Sequence, residues 1–429
     1  MNRLNEFDTP QPASGPRILH FTTWDDACGI AGYARDLVGA LDERGVVNSI
    51  YPVNRVALRS MSFDGTKAWL NAFADQARGY DAIHIQHEFS FFGPLERMPE
   101  PNELFFGLLE RLQKDRTPTV VTFHTEPYFV PRRPTLMQRL RKFRHGGYHR
   151  WKAERYLGKK TQGLLALVHA EKTRASLIGS GVNPDLVRVI PMGVKPRADV
   201  VNKLSKAEAK ARLGLSPDCV LLTLFGFVSD YKGHLTAVKA MLNLPEKYAL
   251  AVVGGPHPEG NDGTFDKVLS ARRKIGKNRL LVTGFVDFQE LDLYHAATDI
   301  NLAPYQDHTQ SGSAGITWAI GSGRPIIATD IPCFRELNAR RQFMQLTSVA
   351  RPGELAWHIE RLAADPARQA ELVRNAELYV QDSSWDAVAE LCEQAYAEVA
   401  KRPLNKATPQ EVQVFAGRVS QPLAIARAS

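Results

Sequence analysis

Residues 310–329 read QSGSAGITWAIGSGRPIIAT. A short polar stretch with glycine runs into a helix of small residues. Gly323-Arg324-Pro325 then turns that helix into the strand Ile326-Ile327-Ala328. A helix entered this way aims unpaired backbone N–H groups and the positive end of its dipole at whatever lies above it. Serine and glycine leave room for a phosphate to approach. Read alone, the stretch is equally an ordinary strand–helix connection of an α/β sheet, so the segments on either side have to decide.

Working outward, strand and helix alternate. Strands are expected at 220–225, 248–253 (YALAVV, ending at Gly254-Gly255), 280–283 and 300–302, with helices at 233–242 and 290–297. Further upstream a first series runs through strands at 17–22 (RILHFT), 82–86, 118–123, 163–168 and 186–190. Its first helix, 29–41, carries Ile30, Tyr33, Ala34, Leu37, Val38 and Leu41 at helical spacing. The expected fold class is therefore α/β, with two Rossmann-like, doubly wound parallel-sheet domains facing across a cleft. The expected boundaries are a loose leader (1–16), an N-terminal domain (17–194), a linker (195–204), a C-terminal domain (205–384), a helix at 385–402 crossing back to the first domain, and a poorly ordered tail (403–429). Ligands of such folds bind at the carboxyl edges of the strands, in the cleft.

Composition agrees with two domains. The chain has 429 residues, 44% hydrophobic and 23% charged, and a core that long divides into units of about 200 residues. No apolar run reaches the roughly 18 residues that span a bilayer, and the N-terminus has no apolar signal region. Four scattered cysteines, Cys28, Cys219, Cys333 and Cys392, make neither a metal spacing nor a disulfide framework. A cytoplasmic location follows as the expectation, at the inner face of the cytoplasmic membrane. The net charge of +8 is uneven: residues 132–160 hold eleven Lys or Arg against one acid, Glu154, with aromatic and apolar residues interleaved. That pattern reads as a basic amphipathic surface for an anionic membrane or acceptor, or as a solvated helical face. No nucleic-acid reading motif accompanies it.

With these pieces placed, the chain resembles the retaining glycosyltransferases of family 4, which have the two-Rossmann GT-B fold. The resemblance covers roughly residues 17–400. It rests on Gly29-Ile30-Ala31-Gly32-Tyr33, Gln86-His87-Glu88-Phe89, Thr122-Phe123-His124-Thr125, Ile190-Pro191-Met192-Gly193-Val194, Gly226 through Lys232-Gly233-His234, Gly284-Phe285-Val286 and the 310–329 stretch, in that order. Glu336 follows where that family often has a proline–glutamate pair. The family's Glu-x7-Glu signature falls on Gln310 and Trp318, so both carboxylates are missing. In the family the first usually touches the donor sugar and the second the ribose. Phe227 stands where an arginine is usual. A subgroup with Gln-Ser-Gly in place of the carboxylates is the nearer likeness.

The resemblance implies roles residue by residue. Lys232 would meet the leaving diphosphate as a point charge. Ser311, Gly312, Ser313, Ala314 and Gly315 would present N–H groups to the distal phosphate. His124 would hydrogen-bond and position the donor sugar, and Val286 would present backbone groups to the base. Gln310 keeps hydrogen-bonding capacity toward the sugar without charge, and Phe227 borders the donor. Gly29 and Gly32 would leave the first-domain side of the cleft open, or simply make a tight turn. Glu88 would orient the acceptor, or pair with the basic segment. His87 and His169 are expected at the same rim. Glu336 would touch a donor hydroxyl, or serve as a helix-dipole partner. Arg139, Arg141, Lys142 and Arg144 would face an acceptor or membrane.

The expected activity is transfer of a sugar from a nucleoside-diphosphate sugar to a glycan or lipid-linked acceptor in cell-envelope or exopolysaccharide biosynthesis, with retention and with no metal or other cofactor. Two alternatives stay open. One is a non-catalytic family member that holds a sugar nucleotide. The other is a nucleotide-sugar 2-epimerase, for which Glu88 and Glu336 are a thin set of acid–base groups.

Overall fold

The structure, a computed structural model, describes residues 15–26, 28–97, 100–125, 157–158, 163–256, 262–308, 312–401 and 412–415. Gln310, Ser311, Arg139, Arg141, Lys142 and Arg144 lie outside the described residues.

Two parallel sheets make two lobes. The first contains β1 (Arg17–Thr22), β2 (Val47–Pro52), β3 (Ala82–His87), β4 (Thr119–Phe123), β5 (Leu164–Val168) and β6 (Val187–Val189) in the order 2-1-3-4-5-6. The second contains β7 (Val220–Phe225), β8 (Tyr248–Val253), β9 (Leu280–Val282), β10 (Ile300–Ala303), β11 (Ile326–Thr329) and β12 (Met344–Thr347) in the order 12-11-10-7-8-9. The central strands β3, β4, β5 and β8 are buried from end to end. Helices on both faces of a parallel sheet produce such strands, and they explain the continuous apolar runs in the sequence.

The second sheet has the doubly wound order in which the chain starts in the middle and reverses direction between β7 and β10. The loops leaving those two neighbouring strands therefore part in opposite directions and open a crevice at their carboxyl ends. They carry Gly226–Lys232 and, among the described residues, Pro304–His308 and Gly312–Ser313. In the first sheet the reversal falls between β1 and β3, so the loops at Thr23–Gly29 and after His87 open toward the cleft from the other side.

The chain passes between lobes twice. The first passage follows β6 through Pro191–Val194; the second is at Ser383–Trp385, and Val194 N–H donates to the Ser383 carbonyl at 2.8 Å. A Cβ on Gly193 would overlap the Trp385 indole, so the close stacking of these two passages requires glycine there. Of the residues expected as a linker, Ala198–Val201 form a short helix, and Val201 is buried in the second lobe's core. After the second passage the helix Trp385–Ala400 packs on the first lobe. Its Val388, Ala389, Cys392 and Tyr396 join Ile18, Leu37, Leu41, Val120 and Leu165 in one core. Ion pairs from Arg44 to Asp386 (2.8 Å) and Glu393 (3.0 Å) fix it. Within the 403–429 tail, β13 (Gln413–Val414) adds to the edge of the first sheet beside β2, and Phe415 packs against the core.

Candidate functional site

At the reversal point of the second sheet lies a cavity of about 440 Å³. Three neighbouring strands, β7, β8 and β9, each run into a glycine at positive φ: Gly226 (102°), Gly254 (149°) and Gly284 (76°). The three turns pack backbone on backbone, and a Cβ on Gly254 would overlap the Gly226 carbonyl. The cavity floor is thereby made of backbone. Gly226, Gly254, Gly255, Tyr231 and Phe285 line it and were not among the expected site residues. A glycine within two residues after each of three strands was the available signal.

Lys232 enters this cavity. Asp230–Lys232 form a single 3-10 turn, followed by Gly233 in the left-handed region (φ 72°) and the helix His234–Ala240. Lys232 is 6% exposed. Its Nζ lies over Gly226, 6.0 Å from the Phe227 ring and 5.8 Å from the Tyr231 ring. No carboxylate among the described residues pairs with it, and burial pulls its pKa down to about 8. A buried ammonium without an anion is costly to the fold, so the position is one where an external anion would be strongly held.

Facing it is the helix Ala314–Gly321. Ser313 caps the helix: its Oγ accepts from Gly315 N–H at 3.2 Å and is held by the Tyr305 hydroxyl at 2.8 Å. Gly315 N–H is therefore occupied. The amides of Gly312, Ser313 and Ala314 find no acceptor among the described residues, and Gly312, Ser313 and Gly315 line the cavity. Gly29, Phe227, Val286 and Trp318 also line it. Gly29 begins the first-lobe helix Gly29–Glu43, which Cys28 caps by accepting Ala31 N–H on sulfur. Gly32, one turn on, has open space where a Cβ would stand, so packing does not demand a glycine there. It faces a neighbouring inter-lobe cavity of about 650 Å³.

His124 ends β4 behind the first-lobe rim, between the Tyr33 and His169 rings, with centroids at 4.8 and 5.3 Å. Its Nε2 lies 2.7 Å from Gln86 Oε1. Gln86 Nε2 in turn lies 3.3 Å from His84 Nε2, and His84 Nδ1 lies 2.7 Å from the Tyr396 hydroxyl. With the Gln86 amide donating to His84, His124 donates through Nε2 and keeps Nδ1 as the basic nitrogen. Burial holds His124 and His84 well below the usual histidine range, so both are neutral at pH 7. His87 does not stand at the rim as expected. It belongs to β3 and is enclosed by Phe89, Phe92, Phe105 and Phe123, because its alternation places it on the core face. Glu88 accepts from Thr125 Oγ1 at 2.8 Å, and burial raises its pKa. Neither Glu88 nor His124 is among the residues lining the cavity around Lys232 or the inter-lobe cavity beside it.

Burial likewise pushes His20 and His169 down to about 4 and His87 to about 3. These values lie below the 6.5 of an unfolded histidine, so under acid the unfolded chain binds more protons than the native one. The histidine contribution to stability is complete above pH 6.5 and is lost as pH falls toward 4. Thermal melts should show the melting temperature falling from pH 6.5 downward; a flat profile to pH 4.5 would contradict the neutral, buried assignment.

Glu336 does not pair with its own helix end. From the helix Pro332–Ala339 its carboxylate crosses to the first lobe and accepts the N–H groups of Glu171 and Lys172, the latter at 3.2 Å. These open the helix Glu171–Gly179. Lys172 Nζ returns to the His308 carbonyl at 2.9 Å. The two contacts clasp the lobes on the flank of the loop before the helix Ala314–Gly321, where a further inter-lobe cavity of about 410 Å³ includes Glu336, His169, Met192 and Ser313. A capping carboxylate contributes about 1 kcal/mol. Glu336→Ala is accordingly expected to weaken binding of any ligand bridging the lobes about fivefold and to enlarge the radius of gyration in X-ray scattering; an unchanged radius with unchanged affinity would remove the clasp.

Among the described residues no group of three His, Cys, Asp or Glu side chains could hold a metal ion. No helix among them is long and apolar enough to cross a membrane.

Residues 218–365 match the family model for group 1 glycosyl transferases, and that span contains Lys232, Gly312–Gly315 and Trp318. The two-lobed architecture is that of the GT-B fold. Anabaena HepE, solved with UDP-glucose, superposes with a TM-score of 0.65 at 16% identity, covering 89% of this chain and 99% of that one. A sucrose-phosphate synthase from Thermosynechococcus elongatus superposes with a TM-score of 0.66 at 18% identity, covering 89% and 99%. In sequence, the D-inositol 3-phosphate glycosyltransferase of Xylanimonas cellulosilytica is 28% identical over 229 residues, 52% of this chain and 54% of that protein. That of Streptomyces bingchenggensis is 28% identical over 241 residues, 52% and 50%. The chain spans about half the length of the curated relatives it matches.

Proposed function

We propose that the protein is a retaining glycosyltransferase that uses a nucleoside-diphosphate sugar. The observation that carries this reading is the buried Lys232 ammonium, without an anionic partner among the described residues, sharing one cavity with Gly312 and Ser313, whose amides find no acceptor among those residues. A diphosphate satisfies both at once. The match at 218–365 and the UDP-glucose complex of the HepE neighbour support the same ligand class.

In the proposed reaction the bond from the anomeric carbon to the phosphate oxygen breaks and the bond to the acceptor oxygen forms on the same face. The acceptor proton passes to the departing phosphate. Lys232 and the loop amides stabilise the growing phosphate charge. No carboxylate lines the cavity among the described residues, which supports same-face attack over a covalent glycosyl intermediate. The acceptor is proposed to be a glycan or lipid-linked hydroxyl met at an anionic membrane face, on the strength of the basic 132–160 sequence. Polysaccharide assembly is the corresponding role.

The same lack of lining carboxylates favours a second reading, a binder that holds the nucleotide sugar without turning it over. A panel of nucleotide sugars in thermal melts tests the ligand class, since a true donor raises the melting temperature in proportion to its affinity. Incubation of the stabilising donor, radiolabelled, with membrane lipid extract then tests turnover. Product with the donor's anomeric configuration supports transfer with retention; an intact donor assigns the binder. No stabilisation by any member of the panel would overturn both.

A further inference from the structure

The inter-lobe cavity of about 650 Å³ shares a wall with the cavity around Lys232: Cys28, Gly29, Phe227 and Trp318 line both. It has the volume of a small-molecule site. From the first lobe the helix Gly29–Glu43 presents Gly29, Gly32 and Tyr33 to it, and Asp36 one turn beyond Gly32. A Cβ on Gly32 would meet no atom within 4 Å, so the helix surface beside Asp36 is open backbone with room for a ring. The Tyr33 and Trp385 rings meet edge to face at 5.1 Å, and the Trp318 indole adds a third aromatic wall. Lys195 and Arg197 line the cavity from the second lobe. Val194 belongs to that lobe's core, Arg197 N–H donates to the Gly321 carbonyl at 2.9 Å, and a Cβ on Gly321 would overlap the Lys195 carbonyl.

Three of the five charged side chains in this wall are anchored within the protein. Asp26 accepts from Arg55 Nε at 2.7 Å, Arg35 donates to the Trp24 carbonyl, and Arg197 lies over Trp318 while its Nε donates to Asp292 at 2.9 Å. The other two are Asp36 and Lys195, one from each lobe. Lys195 is the cation that acts most strongly on Asp36, yet burial still raises the Asp36 pKa. A carboxylate accepts from hydroxyl groups, an ammonium donates to them, and a hydroxyl does both. Adjacent hydroxyls of one ring therefore satisfy Asp36 and Lys195 together, while the C–H faces of that ring pack on the indole and phenol rings. An anionic group in the same place would meet the Asp36 charge.

We propose that this cavity binds the terminal ring of the acceptor, and that Asp36 and Lys195 select a neutral pyranose or cyclic polyol by holding two of its adjacent hydroxyls between the lobes. The shared wall at Cys28, Gly29, Phe227 and Trp318 sets that ring next to the donor. Its role as acceptor rests on the nucleoside-diphosphate reading of the adjoining cavity; the sugar site itself does not.

The test titrates the full-length protein with ADP, CDP, GDP and UDP, and then with glucose, mannose, galactose and myo-inositol, each without nucleotide and with the tightest one. Tryptophan fluorescence is the readout, since Trp318 and Trp385 line the site. At least one of the four neutral rings should bind saturably, and glucose 6-phosphate should bind no tighter than glucose. Asp36→Asn and Lys195→Met should each weaken the best ring about tenfold, the scale of a hydrogen bond to a charged group. Gly32→Leu puts a better helix former at an open position. It should stay folded by circular dichroism and lose the saturable response, because its side chain fills the surface beside Asp36. The inference is overturned if no neutral ring binds, if Asp36→Asn keeps wild-type affinity, or if the phosphorylated sugar binds tenfold tighter than glucose. A protein that binds a sugar but none of the nucleotides overturns the donor reading and keeps the sugar site. One that binds a nucleotide but no sugar does the reverse.

Discussion

Replacing Lys232 by methionine should lower turnover at least about 100-fold, the scale of losing one preorganised charge-stabilising group, and should at the same time raise the melting temperature of the ligand-free protein. Both effects have one cause. The ammonium is 6% exposed, lies near the Phe227 and Tyr231 rings, and is held down to a pKa of about 8 by burial. Against an unfolded lysine near 10.5, that depression corresponds to on the order of 3 kcal/mol of cost to the charged native state. Methionine keeps the length and removes the charge. The sign with pH is fixed. Between about 8 and 10.5 the unfolded chain keeps a proton that the native chain has released, so lysine's cost to stability is complete below pH 8 and shrinks as pH rises through that window. The gain from methionine should therefore be full at pH 7 and fade toward pH 10. Donor affinity of the wild type should be flat below pH 8 and weaken above it, because a diphosphate binds the protonated form. A variant that loses activity without gaining stability would assign Lys232 to packing.

Much of this architecture was legible because parallel sheets buried on both faces leave continuous apolar runs, and each run ends in a glycine or polar turn. Strands such as 248–253 and helices such as 29–41 with its apolar face were readable on those grounds, and the small-residue helix after residue 310 marked the crevice. The strand order was not readable. That Gly226–Lys232 and Gly312–Gly315 meet depends on β7 and β10 lying side by side, a pairing across about eighty residues that no local pattern encodes. Glu336 shows the same limit. Its surroundings spell a helix start, yet its partners are amides of the other lobe, 164 and 165 residues away in sequence. His87 was misplaced for a different reason. Strand-end position suggested the rim, while the ring cage that encloses it joins Phe89 and Phe92, just downstream, to Phe105 and Phe123 from a helix and a strand further along the chain.

Gly233→Ala should weaken nucleotide binding on the order of 100-fold although residue 233 does not line the cavity. At φ 72° an alanine costs about 1–2 kcal/mol, and its Cβ would also overlap the Pro304 carbonyl oxygen, a backbone atom with little freedom to retreat. The overlap matters because Pro304–Gln306 serves both halves of the site. Gln306 N–H donates to the Tyr231 carbonyl at 2.7 Å, which ties this segment to the lysine turn. Tyr305 holds the Ser313 hydroxyl at 2.8 Å, which ties it to the loop amides. Gln306 Nε2 further reaches Thr236 Oγ1 at 3.1 Å in the helix behind Lys232. Pushing Pro304 away therefore moves ammonium and amides relative to each other, and a misplacement of about 1 Å in such a constellation costs on the order of 100-fold. The expected result is a folded protein, destabilised by roughly 3 kcal/mol as strained or overpacked positions are, with donor affinity lowered on the order of 100-fold. Calorimetry with nucleoside diphosphates, at a temperature where circular dichroism shows both proteins folded, checks it. Binding within about threefold of wild type would mean that the lysine turn and the phosphate loop are positioned independently, contrary to the hydrogen bonds that join them.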